Sequence, residues 1–332
     1  MSLHGNRVGE TPMLVPSFSS KAWLGLEKLV QFAGEFITEQ VLVSAYDFYH
    51  KNIETIPSYA ELVFLDSGGY ECSEQSDFSE TGYVGARSKA RSDKKKRREN
   101  WNEGMYLETL RKWPSGIANC HTVMISYDHP DHRQSTPKQI VQAHGTLDTR
   151  DDVLKEILLK PETPQAEYLN IDAVLDHIEG LKLFDIVGVT EKELGTSVLE
   201  RMCNIVRMRL AMERKGFTRP LHVFGSLDTI STPLYFVSGA DIFDGLTWLR
   251  YSYIDGLTVY WQNYGAREYL NSKTQTVLRK NMVDNLYHLI VMRQQMTRYL
   301  ADEDFDHFEQ NAAVIRKGYQ DLQSSLSSMR EV

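Results

Sequence analysis

Three short apolar runs in this chain stop at an acid. Val63-Phe64-Leu65 leads into Asp66-Ser67-Gly68-Gly69, residues 121–127 lead into Asp128, and Ile242-Phe243 leads into Asp244-Gly245. An acid that closes a buried strand, with a glycine to turn the backbone behind it, is a side chain presented at the strand's C-terminal mouth. An acid in that position also caps a following helix, so one occurrence leaves both roles open. Repetition of the pattern at Asp66 and Asp244 favours the first role. Arg250 follows Asp244 by six residues, close enough to reach an anion near the same mouth.

Strand-like and helical stretches alternate. Strand patterns fall at residues 41–45, 61–65, 121–127, 157–159, 183–189, 221–224 and 240–243, and helical ones at 20–40, 171–181 and 191–215. Such alternation predicts a parallel sheet with crossover helices. Seven strands over about 220 residues fit an α/β fold of the (β/α)8 TIM-barrel type better than a doubly wound sheet. No GxGxxG fingerprint follows any strand, so a dinucleotide fold lacks its usual signal. Two further helices are expected at 275–299 and 303–329. The chain divides into an N-terminal arm and helix (1–40, with 1–20 a loose arm), a catalytic barrel (41–270) and C-terminal helices (271–332).

Residues 71–113, between the second and third strand patterns, are far longer than a standard connection. Within this insertion, residues 87–98 carry Arg87, Lys89, Arg91, Lys94, Lys95, Lys96, Arg97 and Arg98 against a single acid, Asp93. Such a run reads either as a solvated loop or, beside a catalytic mouth, as a holder for a polyanion's phosphates. The net charge of −8 argues against a surface that coats nucleic acid everywhere, but not against a local basic patch. With 42% hydrophobic and 25% charged residues the composition is that of a soluble globular protein. No apolar run reaches the roughly eighteen residues of a membrane span, and residues 1–18 lack a secretory pattern. The three cysteines lie far apart with no CxxC pair, which fits a reducing, cytoplasmic setting.

Carboxylates gathered on one barrel rim can divide catalytic work, one ionised as nucleophile and another tuned to shuttle a proton. Such nucleophiles commonly attack anomeric carbons, and acids also accept hydrogen bonds from the N–H groups of a purine. The spacing permits glycosyl or base-exchange chemistry without demanding it.

Residues 63–71 resemble the Asp-Ser-Gly-Gly-Phe/Tyr-Gln segment of tRNA-guanine transglycosylases. Residues 221–250 are similar to that family's later His-Leu-Leu-Gly, Gly-Val-Asp-Met-Phe-Asp and Arg segment. Asp128 stands where the family places a base-binding Asp after a strand. The likeness is patchy and runs over roughly residues 40–310. It implies that Asp244 is the nucleophile at the sugar C1′, that Asp66 transfers a proton and holds the base within the Ser67-Gly68-Gly69 turn, and that Asp128 grips the purine edge. It further implies that Gly188 offers backbone to the base carbonyl and that Arg250 contacts a phosphate. The target base must leave any stack to reach such a pocket.

The departures from the family narrow the resemblance. The tRNA enzymes hold a structural zinc through a CxCxxC run and a later His beyond the nucleophile. Here no cysteine follows Cys203, so no zinc or other cofactor is expected. The family's Gln is Glu71 in this chain, and its later Gln has no counterpart near Lys160-Pro161-Glu162. A shorter, zinc-less relative with a basic insertion resembles the DNA 7-deazaguanine transglycosylase branch. That branch exchanges guanine in DNA for 7-cyano-7-deazaguanine and works beside other DNA-modification enzymes. The basic run is then expected to track the DNA backbone.

Three rival readings remain. With tRNA as substrate the chemistry would be unchanged. Asp128-His129-Pro130-Asp131-His132 packs four potential metal ligands into five residues, with His121 and His222 as distant helpers for a metal-dependent hydrolase. A non-catalytic nucleic-acid-binding relative is the third, although a scaffold needs neither Asp66 nor Asp244.

Overall fold

The computed structural model describes residues 1–330 apart from 4, 22–24, 74–99, 115 and 118. The basic run Arg87, Lys89, Arg91, Lys94, Lys95, Lys96, Arg97 and Arg98 therefore lies outside the described residues. Eight strands form one parallel sheet: β1 Met13–Pro16, β2 Gln40–Ser44, β3 Leu62–Asp66, β4 His121–Ile125, β5 Leu154–Leu159, β6 Ile186–Thr190, β7 Leu221–Phe224 and β8 Ile242–Gly245. Each pairs with the next in chain order from β2 onward. β1 pairs with β8, placing Val15 opposite Asp244. The ring closes where Ser17 bridges Leu42 and the Phe18 amide donates to the Leu42 carbonyl at 3.0 Å. This is the α/β barrel that the alternation predicted.

The strand sequences are nearly continuous apolar runs because both faces are buried. Inward positions repeat every second residue. Met13, Val15, Leu62, Phe64, Val123, Ile125, Leu154, Leu158, Ile186, Phe224 and Ile242 pack together inside the barrel. The alternate residues, such as Val41, Val43, Val63, Leu65, Val187 and Val223, pack outward against the helices. Glu156 and His222 occupy two of the inward positions.

The stretch read as a loose arm contains β1. Its four residues follow Pro12 and end on Pro16, prolines that break the pattern of a longer strand, and its pairing comes from β8, near the other end of the sequence. The first helix is also shorter than the 20–40 pattern. It spans Leu26–Ala33, entered through Gly25 at φ +75 and left at Gly34. The second strand pattern ends one residue further on than read, so that Asp66 belongs to β3 itself.

The described second end of the long connection is tied to the barrel. Trp101 Nε1 donates to the Ser67 carbonyl at 3.1 Å, and the helix Glu103–Lys112 sends Tyr106 to the Ile125 carbonyl. Beyond β8 come a one-turn helix (Thr247–Arg250), a hairpin of β9 Tyr251–Ile254 and β10 Leu257–Tyr260, and a 29-residue helix, Thr274–Asp302. Buried Asn285 of that helix donates to the Trp248 and Tyr251 carbonyls, both at 2.7 Å, and accepts from the Tyr253 amide at 2.9 Å. The last helix, Ala312–Arg330, packs closely enough that a Cβ on Gly318 would fall 2.5 Å from Leu234. Among the described residues no helix is long and apolar enough to cross a membrane.

Candidate active site

Parallel strands in a barrel aim their C-terminal ends at one rim. Asp66 ends β3, Asp128 follows β4 by three residues, and Asp244 lies near the end of β8. Asp66 and Asp244 are 8% and 6% exposed, so their charges act on one another through little water. Burial pushes the Asp66 carboxyl up to about 7, and the negative charges of Asp128 and Asp244 act the same way. The Gly68 amide, 3.1 Å from Asp66 Oδ2, and the Lys160 ammonium oppose them. Asp66 is thus a carboxyl that exchanges a proton near neutral pH.

Asp244 sits among donors. Ser17 donates to Oδ2 at 2.7 Å, and the Gly225 amide donates to Oδ1 at 3.1 Å. His222 Nε2 lies 3.3 Å from Oδ1 without a well-aligned hydrogen bond. A carboxylate has about four lone-pair sites, so these neighbours fix the group without using all of its acceptor capacity. Behind it, His222 Nδ1 is 2.8 Å from Glu156 Oε1, and both side chains are fully buried. Burial alone would strip the imidazole of its proton, but Glu156 and Asp244 outweigh it and lift His222 to about 9. Burial also raises Glu156, against the pull of His222.

Asp128 is held from three sides. Ser67 donates to it, while Lys160 and Arg133 approach Oδ2 at 3.7 and 3.8 Å. Lys160 also reaches Thr190 at 2.7 Å and Glu193 at 2.9 Å, and Arg133 comes within 3.6 Å of Glu193. These cations border a small polar cleft between Asp128 and Gln139. Gly69 lies so close to Asp128 that a Cβ there would overlap the carboxylate. Gly68 turns the chain at φ +94, where a Cβ would also strike Tyr46 at 2.6 Å. The Ser67-Gly68-Gly69 turn is therefore fitted to both Asp66 and Asp128.

Gly188 lies inside β6, opposite Leu158 and His222. A Cβ there would meet Phe224 at 2.6 Å and Glu156 Oε1 at 2.8 Å. Arg250 ends the one-turn helix and reaches the Tyr70 hydroxyl, with its guanidinium 5.9 Å from the ring centre. Lys21 lies over the same ring at 4.4 Å. Next to Tyr70, burial together with Asp47 and Asp66 pushes Glu71 up to about 8, although Ser19 donates to it.

The five-residue His/Asp run does not converge on His222. His129 Nδ1 accepts the Asp131 amide at 3.2 Å, its ring sits 4.9 Å from that of His132, and His222 is engaged with Glu156 and Asp244. Among the described residues no group of three or more His, Cys, Asp or Glu is arranged to hold a metal ion.

Sequence reasoning passed over Glu156, Ser17, Lys160 and Arg133 as site residues. Glu156 had a signal: it stands between Leu154 and Leu158 at period 2, an acid at an inward position of a buried strand. Ser17 had none, because its partner is 227 residues away. The fold and rim define a (β/α)8 barrel with paired carboxylates at its C-terminal mouth. No protein-family model matches the chain, and no curated protein matches it.

Proposed function

We propose that this barrel is a transglycosylase that exchanges guanine in DNA for a 7-deazaguanine base, 7-cyano-7-deazaguanine, through a covalent bond between Asp244 and the sugar C1′. The observation that carries the reading is the division of labour between two neighbouring acids. Asp66 holds an exchangeable proton near neutrality, while Asp244 is surrounded by donors that suit an anion.

In the first half, an Asp244 oxygen attacks C1′ and the C1′–N9 bond breaks. The electron pair leaves with guanine, and protonated Asp66 supplies the proton that neutralises it. In the second half the incoming base gives its N9 proton to Asp66 and attacks C1′, and Asp244 departs as carboxylate. Asp128, oriented by Ser67 and steadied by Lys160 and Arg133, accepts from the N–H groups of the purine edge. Glu71 supports the likeness where its residue type departs from it, because a Glu that keeps its proton offers the donor and acceptor of a Gln. The residues available suit this chemistry without a cofactor.

DNA is preferred over tRNA through the resemblance to the DNA branch, which rests on the lack of cysteines after Cys203 together with the basic run at residues 87–98; the run itself suits a phosphate backbone. Deletion of the run should weaken DNA binding and flatten the salt dependence; unchanged binding would remove that role. The test of the whole reading is incorporation of radiolabelled guanine into duplex DNA and tRNA, with Asp244→Ala alongside. Label in DNA alone, lost in the variant, supports the proposal. Label in tRNA keeps the chemistry and moves the substrate. Label in neither, with the protein folded, counts against the reading.

A further inference from the structure

Glu156 and His222 sit inside the barrel next to the catalytic rim, and the steps above use neither. The strand register places His222 beside Ile242 and Gly188, and Glu156 beside Ile186. An acid and a histidine at fully buried, inward positions of a TIM barrel occupy places where branched apolar residues usually pack. The surrounding chain makes room for them. Phe224 stacks on the imidazole at 3.9 Å between centroids, Phe64 meets it edge-on at 5.5 Å, and the missing side chain of Gly188 leaves space for the Glu156 carboxylate. The charged groups facing His222 are Glu156 from β5 and Asp244 from β8.

We infer that the Glu156–His222 pair is a positioning device that holds a positive charge against Asp244 and makes it a better leaving group when the incoming base expels it from C1′. This rests on the transglycosylase reading. While Asp244 is a carboxylate, the trio carries one net negative charge, and once Asp244 is a glycosyl ester it carries none. Glu156 keeps the imidazolium compensated in that second state, so the cation persists in an apolar site instead of losing its proton. Resolution returns an electron pair to Asp244 as its bond to C1′ breaks, and a fixed cation 3.3 Å away stabilises the charge as it develops. The same cation also steadies the free carboxylate, so it favours resolution over formation of the ester.

The two half-reactions separate this role from a structural one. His222→Gln and Glu156→Gln keep side-chain volume and polarity but lose the fixed charge. Each protein is mixed with substrate DNA, quenched in denaturant, and scored for covalent protein–DNA adduct before and after a chase with free base. Both variants should accumulate adduct and resolve it about tenfold more slowly than the wild type, the scale of one charge-assisted contact. Folded variants that form and resolve adduct at the wild-type ratio overturn the inference. Wild-type protein that forms no adduct with DNA or tRNA removes the transglycosylase reading and this inference with it. A variant that fails to fold is replaced by NMR titration of the His222 ring in the intact wild-type chain. A ring still charged above neutral pH supports the pair's role, and a ring neutral at pH 7 overturns it.

Discussion

Ser17 and Asp244 share a 2.7 Å hydrogen bond across 227 residues of sequence. Ser17 follows β1 and Asp244 lies in β8, so the contact exists only where the barrel closes. Ser17→Ala removes the donor that orients Oδ2. Exchange should fall on the order of tenfold, the scale of one hydrogen bond to a charged group. Asp244→Asn should abolish exchange altogether. Single-turnover label incorporation measures both, with melting curves to confirm folding.

Asp66→Asn should separate stability from activity. An Asp in the unfolded chain titrates near 4, whereas folded Asp66 titrates near 7. Between those values the folded state binds the extra proton, so this group's contribution to stability falls as pH rises and stays lost above about 7. At about pH 8 the variant should melt higher than the wild type, while near pH 4 the gain should vanish. Base exchange should be lost at both.

His222 should titrate stability in a different window. Its folded pKa is raised, so its contribution is complete below about 6.5 and is lost as pH rises through about 9. Urea unfolding across that range should show an alkaline decline that is shallower in His222→Gln.

Lys160→Met should move the alkaline limb of activity. Lys160 pulls the Asp66 carboxyl down against burial and its acidic neighbours. Without that charge, Asp66 keeps its proton to higher pH, and the pH above which the first half-reaction fails should rise. A kcat/KM profile against pH tests this, and a limb moved the other way would show that the proton donor is not Asp66.

Gly188→Ala should destabilise the fold. The added Cβ meets the Phe224 ring and the Glu156 carboxylate inside a packed barrel. Overpacking of this kind costs about 1–3 kcal/mol, read as a lower urea midpoint.

Much of the architecture was legible because strands buried on both faces must be written in apolar residues. The runs ending at Asp66 and preceding Asp128 and Asp244 are continuous enough to mark β3, β4 and β8 by themselves. β1 was not legible, because Met13–Pro16 has four residues, prolines around it, and a partner strand that arrives last. At the site, Asp66 and Asp244 were readable from local grammar, an acid followed by a turn. Lys160 and Arg133 were not, since what defines them is proximity to Asp128 across separate loops. Glu156 lay in between: its strand was read only over 157–159, which hid the alternation with Leu154 and Leu158 that places it inside.

The seam between β1 and β2 has a further consequence. Closed barrels have no free sheet edges, and exposed edges are where chains pair with one another. Here the ring depends on residues 13–18, held by Arg293 on the Pro12 carbonyl and Trp248 on the Ser17 carbonyl. Removing the first twenty residues would uncover the pairing groups of β2 and β8 together. Such a shortened chain should be found in aggregates rather than as an inactive monomer, and proteolysis near residue 20 would destroy solubility along with the site.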